Sequence, residues 1–439
     1  MNRMGWLSAL AVLCMISAGC SKQGTEIPAE QSQEPITLTV FPQVGISKEQ
    51  FETFFAGPVH KKYPYITMQL IDRTAQTTLE NLVAAGNYPD IVLAGYQYVS
   101  TLKQLNMLAN LNEYVKKYKL DINRYEQEPI RTIKSIAGAD ALPGLPYSLN
   151  FAVNYYNKDI FDKFGVKYPK DGMNWDETIE LSRSLTRQEG GVNYRGLVPG
   201  VSPERISAAT GLGYIDAKTN KATINNDGWK QIFNLYVTVY NIPNYGSGTN
   251  GKDAFSKGKD AFLKDKTLAM YTEWSDVLTD IGTMDSRGEK FNWDMVTLPN
   301  FKEHLGQGRN SGAHTLFVSS SSKYKEQAYL AVSHIADSEV QDIVNQSGKL
   351  SSLKKTTEMK NTFGTNLSYL KGKNVGAIFG VTVSDLAPPT DYDPALRALI
   401  NNTVLMQSVT ELGKDLNTAL RETEESANKL IEQQKQAQK

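Results

Sequence analysis

The chain has almost no cysteine. Its two thiols, Cys14 and Cys20, both lie near the N-terminus, so the rest of the chain forms no internal disulfide and its stability must come from a hydrophobic core. It also lacks an excess charge: Lys plus Arg and Asp plus Glu each total 47. That balance offers no basic stripe for a nucleic-acid partner. Histidine is sparse. His60, His304, His314 and His334 show no metal-ligand spacing with one another or with cysteine, so neither a metal nor a cofactor is expected. The apolar stretch from Trp6 to Ile16 falls short of the roughly 20 residues that span a bilayer. Tandem repeats are absent. Gly246 to Lys252 has the spacing of a phosphate cradle, but Asp253 follows where a Ser or Thr should hold magnesium. No Gly-x-Ser-x-Gly elbow marks a serine hydrolase. Paired carboxylates of a glycosidase leave no short signature, so a secreted glycan-degrading enzyme stays open on composition alone.

What is present begins with an export signal. Arg3 precedes the apolar run, and Ser17, Ala18 and Gly19 precede Cys20, the pattern of a cleaved signal peptide over 1–19. Small residues before cysteine resemble the bacterial lipobox, although Ser17 stands where Leu is usual. The resemblance implies acylation of Cys20 with diacylglycerol and a lipid-anchored, extracytoplasmic protein at the cell membrane. Residues 20–35 are polar and cannot bury enough apolar surface to order themselves, so they read as a tether.

The remaining length exceeds what one hydrophobic core accommodates, so at least two domains are expected. Period-two alternation marks strands at 36–41 and 65–71, helical spacing marks 49–62 and 77–85, and 90–93 is a short apolar strand. Repeated βαβ units point to a largely parallel sheet covered by helices. Ligands of such sheets bind beyond the carboxyl ends of strands, which selects the loops 42–46 and 94–98. Asn174 with Glu177 matches a capping box for a helix over 176–185, with Trp175 as a packing residue. Further helices are expected over 228–240, 253–264, 324–336 and 413–434, the last fraying at its end. Strands are expected at 267–271, 295–298 and 315–318.

Five segments together resemble the extracellular solute-binding proteins, sugar type, that serve ABC importers. They are Ala84-Ala85-Gly86-Asn87-Tyr88-Pro89-Asp90-Ile91; Leu145-Pro146-Tyr147-Ser148 leading to Tyr155-Tyr156-Asn157-Lys158-Asp159 and Asn174-Trp175-Asp176-Glu177; Ala269-Met270-Tyr271 with Trp274; Trp293-Asp294 through Leu298-Pro299 to Gln341; and Thr418-Ala419-Leu420-Arg421-Glu422. Their order matches the family's across nearly the whole chain after Cys20. The resemblance implies an α/β, two-lobed periplasmic-binding-protein-like fold of type II with a ligand cleft between the lobes. One lobe would comprise 36–149 plus 312–357 and the other 150–311 plus 358–439, with crossings near Asn150, Gly312 and Lys360.

Saccharides offer hydroxyls for planar hydrogen-bonding groups and C–H faces for flat rings. By resemblance, the expected ligand contacts are Gln43 after the first strand, Tyr96 and Gln97 after the 90–93 strand, Tyr147 and Asn150 at the first crossing, Glu273 and Trp274, and Asp391 with Tyr392. Asn150 replaces an acidic residue common in the family, which leaves substrate preference open. Lys158 and Asp159 read as structural. The implied function is a non-enzymatic, monomeric receptor that binds a mono- or oligosaccharide and delivers it to an ABC permease. A receptor feeding a sensor kinase would share these motifs.

Overall fold

The computed structural model describes residues 34–138, 141–246, 251–309, 312–385, 387, 390–401, 404–410 and 412–437. The export signal, Cys20 and all but the last two residues of the tether lie outside them. The described strands are β1 Ile36–Pro42, β2 Ile66–Leu70, β3 Ile91–Gly95, β4 Gly144–Leu149, β5 Ala152–Asn157, β6 Arg187–Glu189, β7 Val192–Val198, β8 Ile215–Asp216, β9 Lys221–Ala222, β10 Leu268–Trp274, β11 Trp293–Thr297, β12 Gln307–Gly308, β13 His314–Val318, β14 Leu350–Ser351 and β15 Thr382–Val383.

Two principal sheets result, one per lobe. The first has the order β14-β4-β13-β3-β1-β2 and the second β11-β5-β10-β7-β6. In the first, β2, β1 and β3 run parallel while β13 is antiparallel to β3. Every residue of β3, β4 and β5 is buried, as expected for strands covered on both faces. Between β4 and β5 only Asn150 and Phe151 separate the two sheets, so this crossing is short and fixed at both ends by strand pairing.

Each sheet carries its own core. Leu38, Phe55, Tyr147, Phe317 and Tyr329 belong to the first; Tyr155, Trp229, Tyr236, Phe262 and Trp293 belong to the second. Tertiary packing modifies several expected helices. The helix over 49–62 runs from Lys48 to Lys62, but Glu52–Ala56 widens into a π turn that buries the adjacent Phe54 and Phe55 together. The helix expected over 253–264 divides at Lys257 into Gly251–Ser256 and Gly258–Leu263. Gly258 approaches the second sheet so closely that an added Cβ would sit 2.9 Å from the Tyr271 ring and 3.0 Å from Val198. The last helix runs past its expected end at about 434, and its turns beyond Ile431 are exposed or half-buried. It spans Leu416–Ala437 and is held as far as Ile431, since Ala427 and Ile431 are buried on the second core, and Asn428 and Glu424 accept from the Ala222 and Asn225 amides, each at 2.9 Å.

Candidate functional site

The parallel strands of the first sheet end at a common edge, where β1 delivers Gln43 and β3 delivers Tyr96. The Gln43 amide donates to the Leu93 carbonyl at 2.8 Å, and its own carbonyl accepts from Arg73 at 2.9 Å. This locks the loop while leaving the half-buried side chain uncommitted among the described hydrogen bonds. Tyr96 opens a short 3-10 turn, Tyr96–Tyr98. Burial pushes its hydroxyl pKa upward, and its charged neighbours are Arg397, Glu204, Glu128 and Arg205. Three of these belong to helices of the second lobe, so Tyr96 stands where the lobes meet. Gln97 is exposed and folds back over Gly95.

Opposite lies the end of β10. Trp274 is half-buried and packs against Ala152, Ala209 and Leu298. Two guanidinium groups flank its ring, Arg309 at 5.1 Å and Arg205 at 5.8 Å from the centroid, within cation–π range. Glu273 joins them, with Oε1 3.2 Å from Arg205 and 3.3 Å from Arg309. It also accepts the Trp274 amide at 3.0 Å. The Glu273 side chain is 4% exposed and that of Arg309 0%. Burial pulls the Arg309 pKa down while Glu273 opposes that shift. Such a pair is weak evidence for net stability, but removing either member strands a buried charge. Its geometric effect is to brace the strand end that carries Trp274.

Further groups complete the junction. Asn150 accepts from the Ser275 hydroxyl and from the Phe151 amide, tying the crossing to the residue after Trp274. Arg397 lies 3.1 Å from Glu204. Burial works against its charge, yet Glu204, Tyr96, Tyr214 and Asp393 hold its pKa above the usual value. Tyr392 is half-buried against the second core, ahead of the helix Asp393–Asn401 that carries Arg397, and Asp391 is exposed. Beside the junction, a groove of about 930 Å³ is lined by Thr210, Gln307, Ser384 and Asp385 among others. Asp385 pairs with Arg131 of the first lobe across its rim.

The expected contacts therefore divide. Tyr96 and Trp274 both neighbour Arg205, and Asn150 joins the same strand end through Ser275. Gln43 shares the sheet edge of Tyr96. One expectation needs correction. Tyr147 is fully buried in the first core, edge-on to Phe55 at 4.8 Å and stacked on His314 at 6.1 Å, which leaves no face for a solute. Glu273 is enclosed beside Trp274, with Oε1 committed to Arg205, Arg309 and the Trp274 amide and Oε2 buried without a hydrogen-bond partner among the described residues. Sequence reasoning missed Arg205, Arg309, Arg397 and Glu204. Only Glu204 had a local signal, as an acidic residue in the first turn after Pro203. Among the described residues, no group of three or more His, Cys, Asp and Glu side chains could hold a metal ion, and no helix is long and apolar enough to cross a membrane.

A two-lobed α/β protein with polar and aromatic groups gathered where the lobes meet defines the class of hinged binding proteins. The sequence model described as bacterial extracellular solute-binding protein matches residues 60–342, well over half of the chain, which belongs to this family. The family is one of binding proteins rather than enzymes. A provisionally named binding protein of Brucella abortus is 26% identical over 196 residues, 44% of this chain and 42% of its own length. The chain thus spans about two fifths of the length of that curated relative. Among solved structures, an ABC substrate-binding protein from Listeria monocytogenes in complex with cycloalternan superposes with a TM-score of 0.68 at 19% identity, covering 91% of this chain and 99% of its own. The sugar-binding protein MalE from Xanthomonas citri gives 0.70 at 17% identity, covering 92% and 99%. A sugar transporter from Rhizobium etli in an open conformation gives 0.70 at 19%, covering 89% and 99%. These likenesses establish the two-lobed fold.

Proposed function

We propose that the protein is an extracytoplasmic receptor, lipid-anchored through Cys20, that captures a carbohydrate between its lobes and delivers it unchanged to an ABC permease. The lobes would be 36–149 plus 312–357 and 150–311 plus 358–439. The observation that carries the reading is Trp274. It is the one half-buried tryptophan among the described residues, held at a strand end with guanidinium groups around it, one of which, Arg205, is also a charged neighbour of Tyr96. A flat ring beside fixed hydrogen-bond donors suits the alternating C–H and hydroxyl surfaces of a sugar. Solutes named for structural relatives, cycloalternan and mannotriose among them, favour the same class.

Tyr96, Asn150 and Trp274 would form the centre of the site, with Arg205 and Arg397 as added donors. Gln43, Gln97, Asp391 and Tyr392 would lie at its margins. Micromolar capture corresponds to about 8 kcal/mol, within reach of one stacking ring and a few satisfied hydrogen bonds. Titration calorimetry against an oligosaccharide panel, with chromatography of the recovered sugar, tests the proposal. Saturable binding with intact sugar is expected. Turnover abolished by a single carboxylate substitution would overturn it in favour of a glycan-degrading enzyme.

A further inference from the structure

The first lobe has a basic, tyrosine-rich face at the edge of its sheet opposite Tyr96. The described chain enters there. Ile36 opens β1, pairs with Ile66 and donates its amide to the Tyr65 carbonyl at 2.8 Å, which brings Lys61-Lys62-Tyr63-Pro64-Tyr65 to the entry point. On the other side of β1, the Thr39 amide and hydroxyl both donate to Asp90 Oδ2 at 2.8 Å, so Tyr88 lies level with the start of β1. Asp90 Oδ1 accepts from the Ser322 hydroxyl at 2.6 Å, and Ser322 leads directly into Lys323-Tyr324-Lys325. Glu326 then binds Lys117 and Tyr118 of the run Lys116-Lys117-Tyr118-Lys119.

These contacts make the segments one surface. Tyr88, Tyr118 and Tyr324 are 42%, 41% and 38% exposed, and they are three of the six large apolar side chains exposed among the described residues. Of the nearby carboxylates, Asp90 is engaged by Thr39 and Ser322, Glu326 by Lys117, and Glu339 by Lys61 at 3.1 Å, while Glu113 and Asp121 flank the lysine run without an ion pair among the described residues. Lys116, Lys119 and Lys323 are exposed and form no ion pair among the described residues. In a chain whose formal net charge is zero, this gathers unpaired positive charge at one pole.

We infer that this face docks on an anionic lipid surface. The choice of a bilayer rests on the proposed anchor at Cys20, because the segment from Cys20 enters the fold at this same edge and would hold it nearest the membrane. Lysines near an anionic leaflet are attracted within a Debye length, and tyrosine favours the boundary between water and acyl chains. Docking would supply a second, reversible attachment beside the lipid. It would also leave the cleft edge facing solvent for capture, with release from the bilayer preceding delivery.

Vesicle flotation of the chain from Ser21 onward, which retains both cores and every described strand, tests this without the lipid. Vesicles of phosphatidylcholine alone are compared with vesicles containing equal parts of phosphatidylcholine and phosphatidylglycerol. At least about tenfold stronger partitioning onto the anionic vesicles is expected at low salt, with loss at high salt. Lys116→Glu/Lys119→Glu/Lys323→Glu should abolish it, and Tyr118→Ser/Tyr324→Ser should weaken it. Equal partitioning onto both vesicles, anionic binding unchanged by the charge reversal, or binding to soluble polyphosphate with none to vesicles would each overturn the inference. Calorimetry with glycan on the same preparations keeps the readings separate. Retained glycan binding shows that the triple variant is folded, and absence of glycan binding by every form would leave the vesicle result standing.

Discussion

In the proposed site capture depends on Trp274, and its removal should separate binding from folding. Trp274→Ala deletes a half-buried ring, so it should weaken glycan affinity by at least about tenfold, a loss of roughly 1.4 kcal/mol or more, while calorimetric melting remains cooperative. Glu273→Gln is expected to behave in the opposite way. It leaves the fully buried Arg309 without its counter-charge, a change of about 3 to 5 kcal/mol in stability, measurable as a lower urea midpoint. A third residue sets an acid limit. Burial, with Lys349 adding to it, lowers the His314 pKa to about 4, against about 6.5 in the unfolded chain. Between these values the unfolded chain binds a proton that the folded chain refuses, so stability falls as pH drops through this window. His314→Gln should remove about 2 to 3 kcal/mol of the difference between urea unfolding at about pH 7.5 and about pH 4.5. Tyr96 and Trp274 were singled out by the resemblance to the family's segments, and Tyr96 also falls in the loop after the apolar 90–93 strand, where ligands of α/β sheets bind. The arginines around them were not, since long side chains from remote segments meet only after the lobes fold. Glu273 and Trp274 are adjacent on a strand, where successive side chains take opposite faces.

At the scale of elements, local chemistry was readable and tertiary adjustment was not. The box of Asn174 and Glu177 forms as expected, with the Glu177 amide donating to Asn174 Oδ1 at 3.0 Å and the Asn174 amide donating to Glu177 Oε2 at 2.8 Å. Asn174→Ala should therefore cost about 1 kcal/mol in urea unfolding. The π turn at Glu52–Ala56 and the break at Lys257 had no local signal, because the buried Phe54 and Phe55 and the close approach of Gly258 impose them from outside the helix. Gly196 shows the same constraint within β7. A Cβ there would collide with the backbone of Ser182 on the helix Trp175–Leu185. Gly196→Ala should destabilise the second lobe by about 1 to 3 kcal/mol, and hydrogen exchange should show the loss of protection concentrated in β7 and that helix.

For the whole molecule, alternating strand and helix patterns gave the α/β class and the family resemblance gave the two lobes, but neither could show how closely the lobes approach. That follows from the short crossing at Asn150 and Phe151 and from the junction of Tyr96 with Glu204, Arg205 and Arg397. Solute shifts a hinged protein toward closure only by its preference for the closed form, so capture must appear as a change in the separation of the lobes. The chain from Ser21 onward contains no cysteine, so spin labels can be placed cleanly at Lys48→Cys on the first lobe and Asp227→Cys on the second. Pulsed electron resonance on this pair should show a shorter, narrower distance distribution once a glycan that binds by calorimetry is added, and no change in the Trp274→Ala background. An identical distribution with and without the bound glycan would contradict capture between the lobes.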